Sequence, residues 1–286
     1  TLRVKTVDAN TPDYILQRIN NAIFTDVDLL QHNIELVTDH IRHKLMEKGE
    51  TDIERKCLRF VQAKDGKTYY KDADNLYWRV SVFIPNAVTK EEVNPESAFC
   101  CGETFGNFQN MLVDLKEPLG ETIPDFHNME LRLRQLREAV SADKAGRVAS
   151  VKDMIAELES YADEMCLAER LYREGALPKR ICHCDTKVNN MMFDKDGKVL
   201  CVIDLDTVMP SFIFSDYGDF LRTGANHVAE DSDNYDVVGL KEDVFCSFTE
   251  GYLSTAANFL TPVEISHLPY AVALFPYMQC VRFLTD

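Results

Sequence analysis

The strongest β signal in the chain, Tyr77-Trp78-Arg79-Val80-Ser81-Val82-Phe83-Ile84, ends at Pro85-Asn86, and from there to Asp286 the apolar residues recur mainly at helical spacing. Before that boundary, residues 2–7 alternate, and Tyr14 to Ile19 reads as a second strand after the turn at Asn10-Thr11-Pro12. One helix interrupts: Leu30, Ile34, Val37, Ile41 and Leu45 mark its buried face, Thr25 or Asp26 its start and Gly49 its end. Strands are expected at about 57–63 and 76–84, with a turn at Asp65-Gly66.

Beyond the boundary, Asn94-Pro95 opens a helix as N-cap and first helical residue. Others are expected at about 128–142, 147–174, 240–258 and 264–285. A hairpin breaks the series: Asn190 to Phe193, a turn over Asp194 to Gly197, then Val199 to Ile203. A small β-rich lobe (1–86) followed by a larger helical lobe (87–286) is a two-lobed α+β plan.

Charge narrows the partners. Thirty-one Lys and Arg against 47 Asp and Glu give a net charge of −16, which disfavours nucleic acid and anionic membrane surfaces, since both are bound through clustered cations. No apolar run approaches the roughly 20 residues of a membrane span, and the first residues resemble no secretion signal. The nine cysteines form no Cys-x-x-Cys pair and read as reduced thiols of a cytoplasmic protein. Cys182-His183-Cys184 lacks the second ligand pair of a structural zinc site. The acidic run Glu230-Asp231-Ser232-Asp233 reads as a solvated loop.

The twelve glycines never make Gly-x-Gly-x-x-Gly or Gly-Lys-Ser/Thr, so neither a dinucleotide fingerprint nor a Walker-type loop is present. Gly-x-Ser-x-Gly and His-Glu-x-x-His are absent too. What remains is His183-Cys184-Asp185-Thr186-Lys187-Val188-Asn189-Asn190, followed after the hairpin by Ile203-Asp204-Leu205-Asp206. Phosphoryl transfer needs a carboxylate to orient an attacking hydroxyl, and oxygen ligands for Mg²⁺ on nucleotide phosphates. Asp185, Asn190 and Asp204 fall at one end of the hairpin and supply those groups. A lone His-x-Asp is usually a turn or cap. An acid ending the apolar run Val-Leu-Cys-Val-Ile is costly there unless paired or bound to metal.

These residues resemble the aminoglycoside phosphotransferase and choline kinase superfamily, with its protein-kinase-like fold. Within it the chain is most similar to bacterial N-acetylhexosamine 1-kinases and their mucin-desulfatase-like relatives. The matching stretches are 14–20, 105–109, 123–127, 183–190, 203–207, 215–226 and 282–286. The resemblance implies a Mg²⁺- and ATP-dependent kinase acting on a small sugar. In it Asp185 is the catalytic base, Asn190 and Asp204 hold the metal, and Asp206 is a second acid near metal or acceptor. His183, Lys187 and Asp219 support the catalytic loop, Arg282 meets the acceptor, and Gln17, Phe83 and Ile84 adjoin the nucleotide. Two features depart from the family pattern. No glycine precedes Gly49, where relatives carry a phosphate-covering loop, and Gln17 stands where they carry a lysine, with Arg18 facing the other way. Rival readings are a same-fold kinase for an amino-alcohol, aminoglycoside or other sugar, and a non-catalytic nucleotide- or sugar-binding protein. A sulfatase is disfavoured, since no Cys/Ser-x-Pro-x-Arg occurs.

Overall fold

Alternation in the first eighty residues becomes a four-stranded antiparallel sheet with one long helix against it, in a computed structural model that describes residues 1–8, 10–230 and 232–286. In chain order the elements are β1 (Leu2–Val4), β2 (Tyr14–Ile19), α1 (Val27–Glu47), α2 (Ile53–Lys56), β3 (Tyr70–Lys71) and β4 (Tyr77–Val82). The sheet order is β1-β2-β4-β3, and Gln17 of β2 lies directly opposite Arg79 of β4. Asp26 caps α1 by accepting the backbone N–H of Leu29, while Leu30, Ile34 and Val37 are wholly buried on its inner face.

The larger part contains α3 (Pro95–Leu112), α4 (Met129–Ala142), α5 (Val148–Met165), α6 (Leu167–Arg173), β5 (Arg180–Cys182), β6 (Met191–Phe193), β7 (Val199–Val202) and β8 (Met209–Ser211). Helices α7 (Phe214–Gly224), α8 (Glu242–Ala256), α9 (Pro262–Ser266) and α10 (Leu268–Thr285) complete it. β6 and β7 form the expected hairpin, and β5 pairs with β8. α3 and α8 pack backbone to backbone, because a Cβ on Gly102 would collide with the Phe248 carbonyl and one on Gly251 with the Phe99 carbonyl. Phe220 of α7 stacks on Phe248 of α8, ring centroids 4.0 Å apart.

Three expectations need correction. The stretch 57–63 is not a strand: Phe60 makes a single bridge to Ser81, because the chain turns away through Ala63–Lys67 and β3 takes the rest of that edge of β4. The helix over 147–174 breaks at Cys166, where the Tyr270 hydroxyl enters the ladder and donates to the Met165 carbonyl at 2.6 Å. The helix over 264–285 begins as α9, capped reciprocally by Thr261 and Glu264, and restarts at Leu268 with Pro269, which has no N–H to give. All nine cysteines are free thiols. Among the described residues no helix is long and apolar enough to cross a membrane. Asp231 of the acidic run lies outside the described residues.

Candidate active site

β5 delivers the chain into the 183–190 loop, and two acids of α7 hold that loop by its backbone. Asp216, wholly buried, accepts the N–H groups of His183 (3.0 Å) and Cys184 (2.8 Å) and the Gln109 side-chain amide (2.8 Å). The Tyr252 hydroxyl donates to Gln109 Oε1 at 2.6 Å, which fixes which end of that amide faces Asp216. One turn further, Asp219 accepts the Thr186 N–H at 3.0 Å and pairs with Arg222 at 2.9 Å. Burial pushes both carboxyls up from the usual range; backbone donors oppose it at Asp216 and the Arg222 charge at Asp219. The His183 ring contacts the Ile203 carbonyl at 2.8 Å and ties the loop to the end of the hairpin. Cys184 sits at φ +64°, a left-handed conformation that costs a β-substituted residue roughly 1–2 kcal/mol. The Asp216 contacts on either side hold it there.

The carboxylate of Asp185 is positioned by its neighbours. Asn190 Nδ2 donates to Asp185 Oδ2 at 3.0 Å and to the Asp185 carbonyl at 2.8 Å, and Lys187 Nζ lies 3.4 Å from Oδ1. The Ile203 N–H donates to the Asn190 carbonyl at 2.8 Å, so the hairpin sets Asn190 beside Asp204. Asp204 has left-handed backbone (φ +59°, ψ +56°) and does not use its carboxylate to cap the turn that follows. Desolvation, then the charge of Asp206, raises its pKa. Asp206 meets Arg79 of β4 at 2.5 Å across the seam between sheet and helical body. A cavity of about 280 Å³ at this seam is lined by Gln17, Arg79, Phe83, Ile84, Asn190 and Asp204 among others.

Of the residues singled out in the sequence, Asn190 and Asp204 line this cavity, with Gln17, Phe83 and Ile84 forming its sheet side. Asp185 is joined to it through Asn190, with Lys187 beside Asp185, and Asp206 through Arg79. His183 and Asp219 lie behind the loop. Arg282 stands apart on α10, its guanidinium 5.5 Å from the Phe126 ring. Phe126 and His127 line a second cavity, about 220 Å³, that reaches the loop at Cys184. His127 contacts the Ser215 hydroxyl at 2.9 Å, and burial, then the Arg282 charge, lowers its pKa to about 3, so its ring is neutral.

Sequence reasoning missed Asp216, Gln109 and Arg79. Arg79 left a signal: a charged residue in the middle of an alternating apolar strand. Asp216 left less, because it and Asp219 are one helical turn apart and either suits the same role.

The donors fit a divalent cation shared with phosphates. Asn190 spends its amide N–H groups on Asp185 and keeps its oxygen, while Asp204 offers a carboxylate engaged in no cap. Among the described residues no group of three or more His, Cys, Asp and Glu forms a closed cage. Hard oxygen donors few in number are what Mg²⁺ accepts when substrate phosphates complete its shell.

A small antiparallel sheet seated on a helical body, with an acid-bearing loop and hairpin at the seam, defines a kinase-like phosphotransferase. The model of the phosphotransferase enzyme family APH matches residues 4–243, and the chain belongs to that family as a small-molecule kinase. Solved structures share the fold at low identity. Amicoumacin kinase hAmiN, in complex with AMP-PNP, Ca²⁺ and Ami, is 15% identical with a TM-score of 0.62, covering 95% of this chain and 74% of that one. An aminoglycoside phosphotransferase from Alicyclobacillus acidocaldarius is 17% identical with a TM-score of 0.54, covering 99% and 91%. Choline kinase LicA from Streptococcus pneumoniae is 14% identical with a TM-score of 0.52, covering 99% and 80%.

Proposed function

We propose that this chain transfers the γ-phosphoryl group of ATP to the anomeric hydroxyl of N-acetylglucosamine or N-acetylgalactosamine, giving the sugar 1-phosphate and ADP. Residues 1–86 would form the nucleotide lobe and 87–286 the catalytic and acceptor lobe. Nine free thiols suit a cytoplasmic setting. The observation that carries the reading is that Asn190, hydrogen-bonded to Asp185, and Asp204 line one cavity with Gln17, Phe83 and Ile84.

Asp185, held by Asn190, orients the acceptor hydroxyl and takes its proton as the new O–P bond forms. The bond from the γ-phosphorus to the bridging oxygen breaks, and ADP leaves with that electron pair. Lys187, beside Asp185, supplies positive charge near the transferring group. Asn190 and Asp204 would hold Mg²⁺, with Asp206 behind; when bound, the ion neutralises phosphate charge.

The sugar acceptor rests on the resemblance, whose matching stretches meet around the catalytic loop. Gln109 holds Asp216, Phe105 packs edge-on against the His183 ring at 5.8 Å, and Thr207 donates to the His183 carbonyl at 2.8 Å. The cavity beside Cys184 also argues against a polycationic acceptor. Of its four acids, Glu121 is paired with Lys179 and Glu130 with Arg173, burial raises the pKa of Glu169, and Asp125 accepts from the Asn128 amide. Arg282 stands at its edge, over Phe126. A neutral polyol suits that lining better than choline or an aminoglycoside. The test is ADP release with a panel of N-acetylhexosamines, hexoses, choline, other amino-alcohols and aminoglycosides, with 1-phosphate formation followed by ³¹P NMR. Turnover confined to an amino-alcohol or aminoglycoside would overturn the sugar assignment.

A further inference from the structure

We propose that Arg79 is a positioning residue, the small-lobe cation that holds the Asp204–Asp206 turn in the place where it meets metal-bound nucleotide. This deepens the reading above and rests on it.

A guanidinium in mid-strand at 3% exposure requires partners for its charge and its five donors. Those it has are uneven. Gln17 Oε1 accepts from Nε at 3.1 Å and Nη2 at 2.9 Å, and Gln31 Oε1 accepts from Nη1 at 3.3 Å. Both are neutral amides, and Gln31 is itself fixed by donating to the Thr68 hydroxyl at 2.8 Å. They orient the fork without balancing its charge. Among the described residues the one carboxylate in ion-pair reach is Asp206, on the other side of the cleft. Asp206 depends on Arg79 in turn: among the described residues its buried Oδ1 has no hydrogen-bond partner, and the ion pair with Arg79 at 2.5 Å is what meets its charge.

The pair has leverage because of what lies next to it. Leu205, buried, is the only residue between Asp206 and Asp204, and the three begin a single tight turn. Arg79 and Asp204 line the same cavity. A shift of Asp206 is therefore passed on to Asp204. A purely structural pair would be served as well by apolar residues of similar volume. This one joins two lobes, is surrounded by amides that aim it, and ends two residues from a proposed metal ligand. The register adds a consequence: Gln17 is directly opposite Arg79, so a cation on β2 starts from a neighbouring position on the sheet.

The test uses Arg79→Gln, Arg79→Lys and the double variant Gln17→Lys with Arg79→Gln, which moves the charge across the register. Calorimetric binding of Mg²⁺–AMP-PNP, melting with and without it, and KM for ATP and for acceptor are measured on each, with Asp185→Asn in parallel. Arg79→Gln is expected to weaken nucleotide binding about tenfold or more and to raise KM for ATP, leaving acceptor KM within about twofold. Arg79→Lys, which keeps charge but not the fork, should fall between, and the double variant should recover part of the lost affinity. Unchanged nucleotide affinity in Arg79→Gln with a lower melting temperature would overturn the proposal and leave Arg79 a structural ion. Should Arg79→Gln not fold, unchanged affinity in Arg79→Lys or a double variant without nucleotide binding would overturn it as well. Failure of the wild type to bind the nucleotide overturns the kinase reading and this proposal with it. Binding by wild type and Asp185→Asn, with Arg79 variants indistinguishable from them, overturns this proposal alone.

Discussion

Asn190 donates one amide group to both the backbone carbonyl and the carboxylate of Asp185, at 2.8 and 3.0 Å. One side chain thus fixes the orientation of the proposed base and turns its own oxygen away from it. Asp185→Asn should fold and bind Mg²⁺–ATP like the wild type, with turnover lowered by roughly 10²–10⁴-fold, the usual contribution of a general base. Steady-state rates on the true acceptor decide it: a variant keeping more than about a tenth of the rate removes Asp185 from that role.

Asp216 accepts three hydrogen bonds, two from loop backbone, in a wholly buried position. An asparagine there offers one oxygen and turns two donors toward groups that also donate. Asp216→Asn should therefore lose about 1–3 kcal/mol of stability, and kcat should fall more than KM for ATP changes. Amide exchange at 183–186 is the direct readout. Exchange as slow as in the wild type would show that the loop does not depend on Asp216.

The motif was legible because it is local: Asp185, Asn190 and Asp204 are joined by a hairpin whose strands and turn are written in consecutive residues. α1 was legible because its buried positions repeat at helical spacing, and four of its five marked residues are buried. The Arg79–Asp206 pair was not, because it joins residues far apart in sequence and Arg79 belongs to no recognised spacing. Asp219, named from the sequence as loop support, does accept the Thr186 N–H, and Asp216 beside it escaped notice for a geometric reason. Both face the loop from one helix, and only the path of β5 decides which N–H groups each one meets. Residues 57–63 have β-type composition, but whether they pair along their length depends on how β3 shares the edge of β4.

Two glycines should separate stability from function. A Cβ at Gly251 would strike the Phe99 carbonyl in the α3–α8 contact, and one at Gly218 the Ala271 carbonyl between α7 and α10. Each alanine variant should lose roughly 1–3 kcal/mol from overpacking. Only Gly218 stands between Asp216 and Asp219, so Gly218→Ala should also lower kcat, assayed well below both melting temperatures. Equal kcat in the two variants would contradict the view that α7 sets the loop.

Glu169 is 8% exposed; its Oε1 accepts the Met129 N–H at 2.6 Å, and its Oε2 is buried with no partner among the described residues. Burial raises its pKa from 4.5. The folded protein then keeps a proton that the unfolded chain releases, so stability falls as pH rises from about 4.5 through the raised folded value, and is level above it. Glu169→Gln removes that slope and should melt higher than the wild type at neutral pH, with the gain shrinking toward pH 4. Melting curves across that range test it; a gain that does not depend on pH would place the effect outside ionisation.

Asp204 carries the last expectation. Its pKa is raised by desolvation and by the neighbouring charge of Asp206, so its ionised form is held at a cost in the ligand-free protein. If nucleotide-bound Mg²⁺ balances that charge, Asp204→Ala should melt at or above the wild-type temperature without ligand. The added stability on Mg²⁺–ATP should shrink, because stabilisation follows ligand affinity. Four melting curves are enough, wild type and variant, each with and without Mg²⁺–ATP. A variant that melts much lower alone, yet gains the full shift from Mg²⁺–ATP, would make Asp204 a structural acid and move the metal elsewhere. The left-handed backbone at Asp204 sharpens the test, since alanine tolerates that conformation less well than aspartate. Asp204→Asn, which keeps both shape and backbone preference, should show the unliganded gain more fully and the same loss of shift.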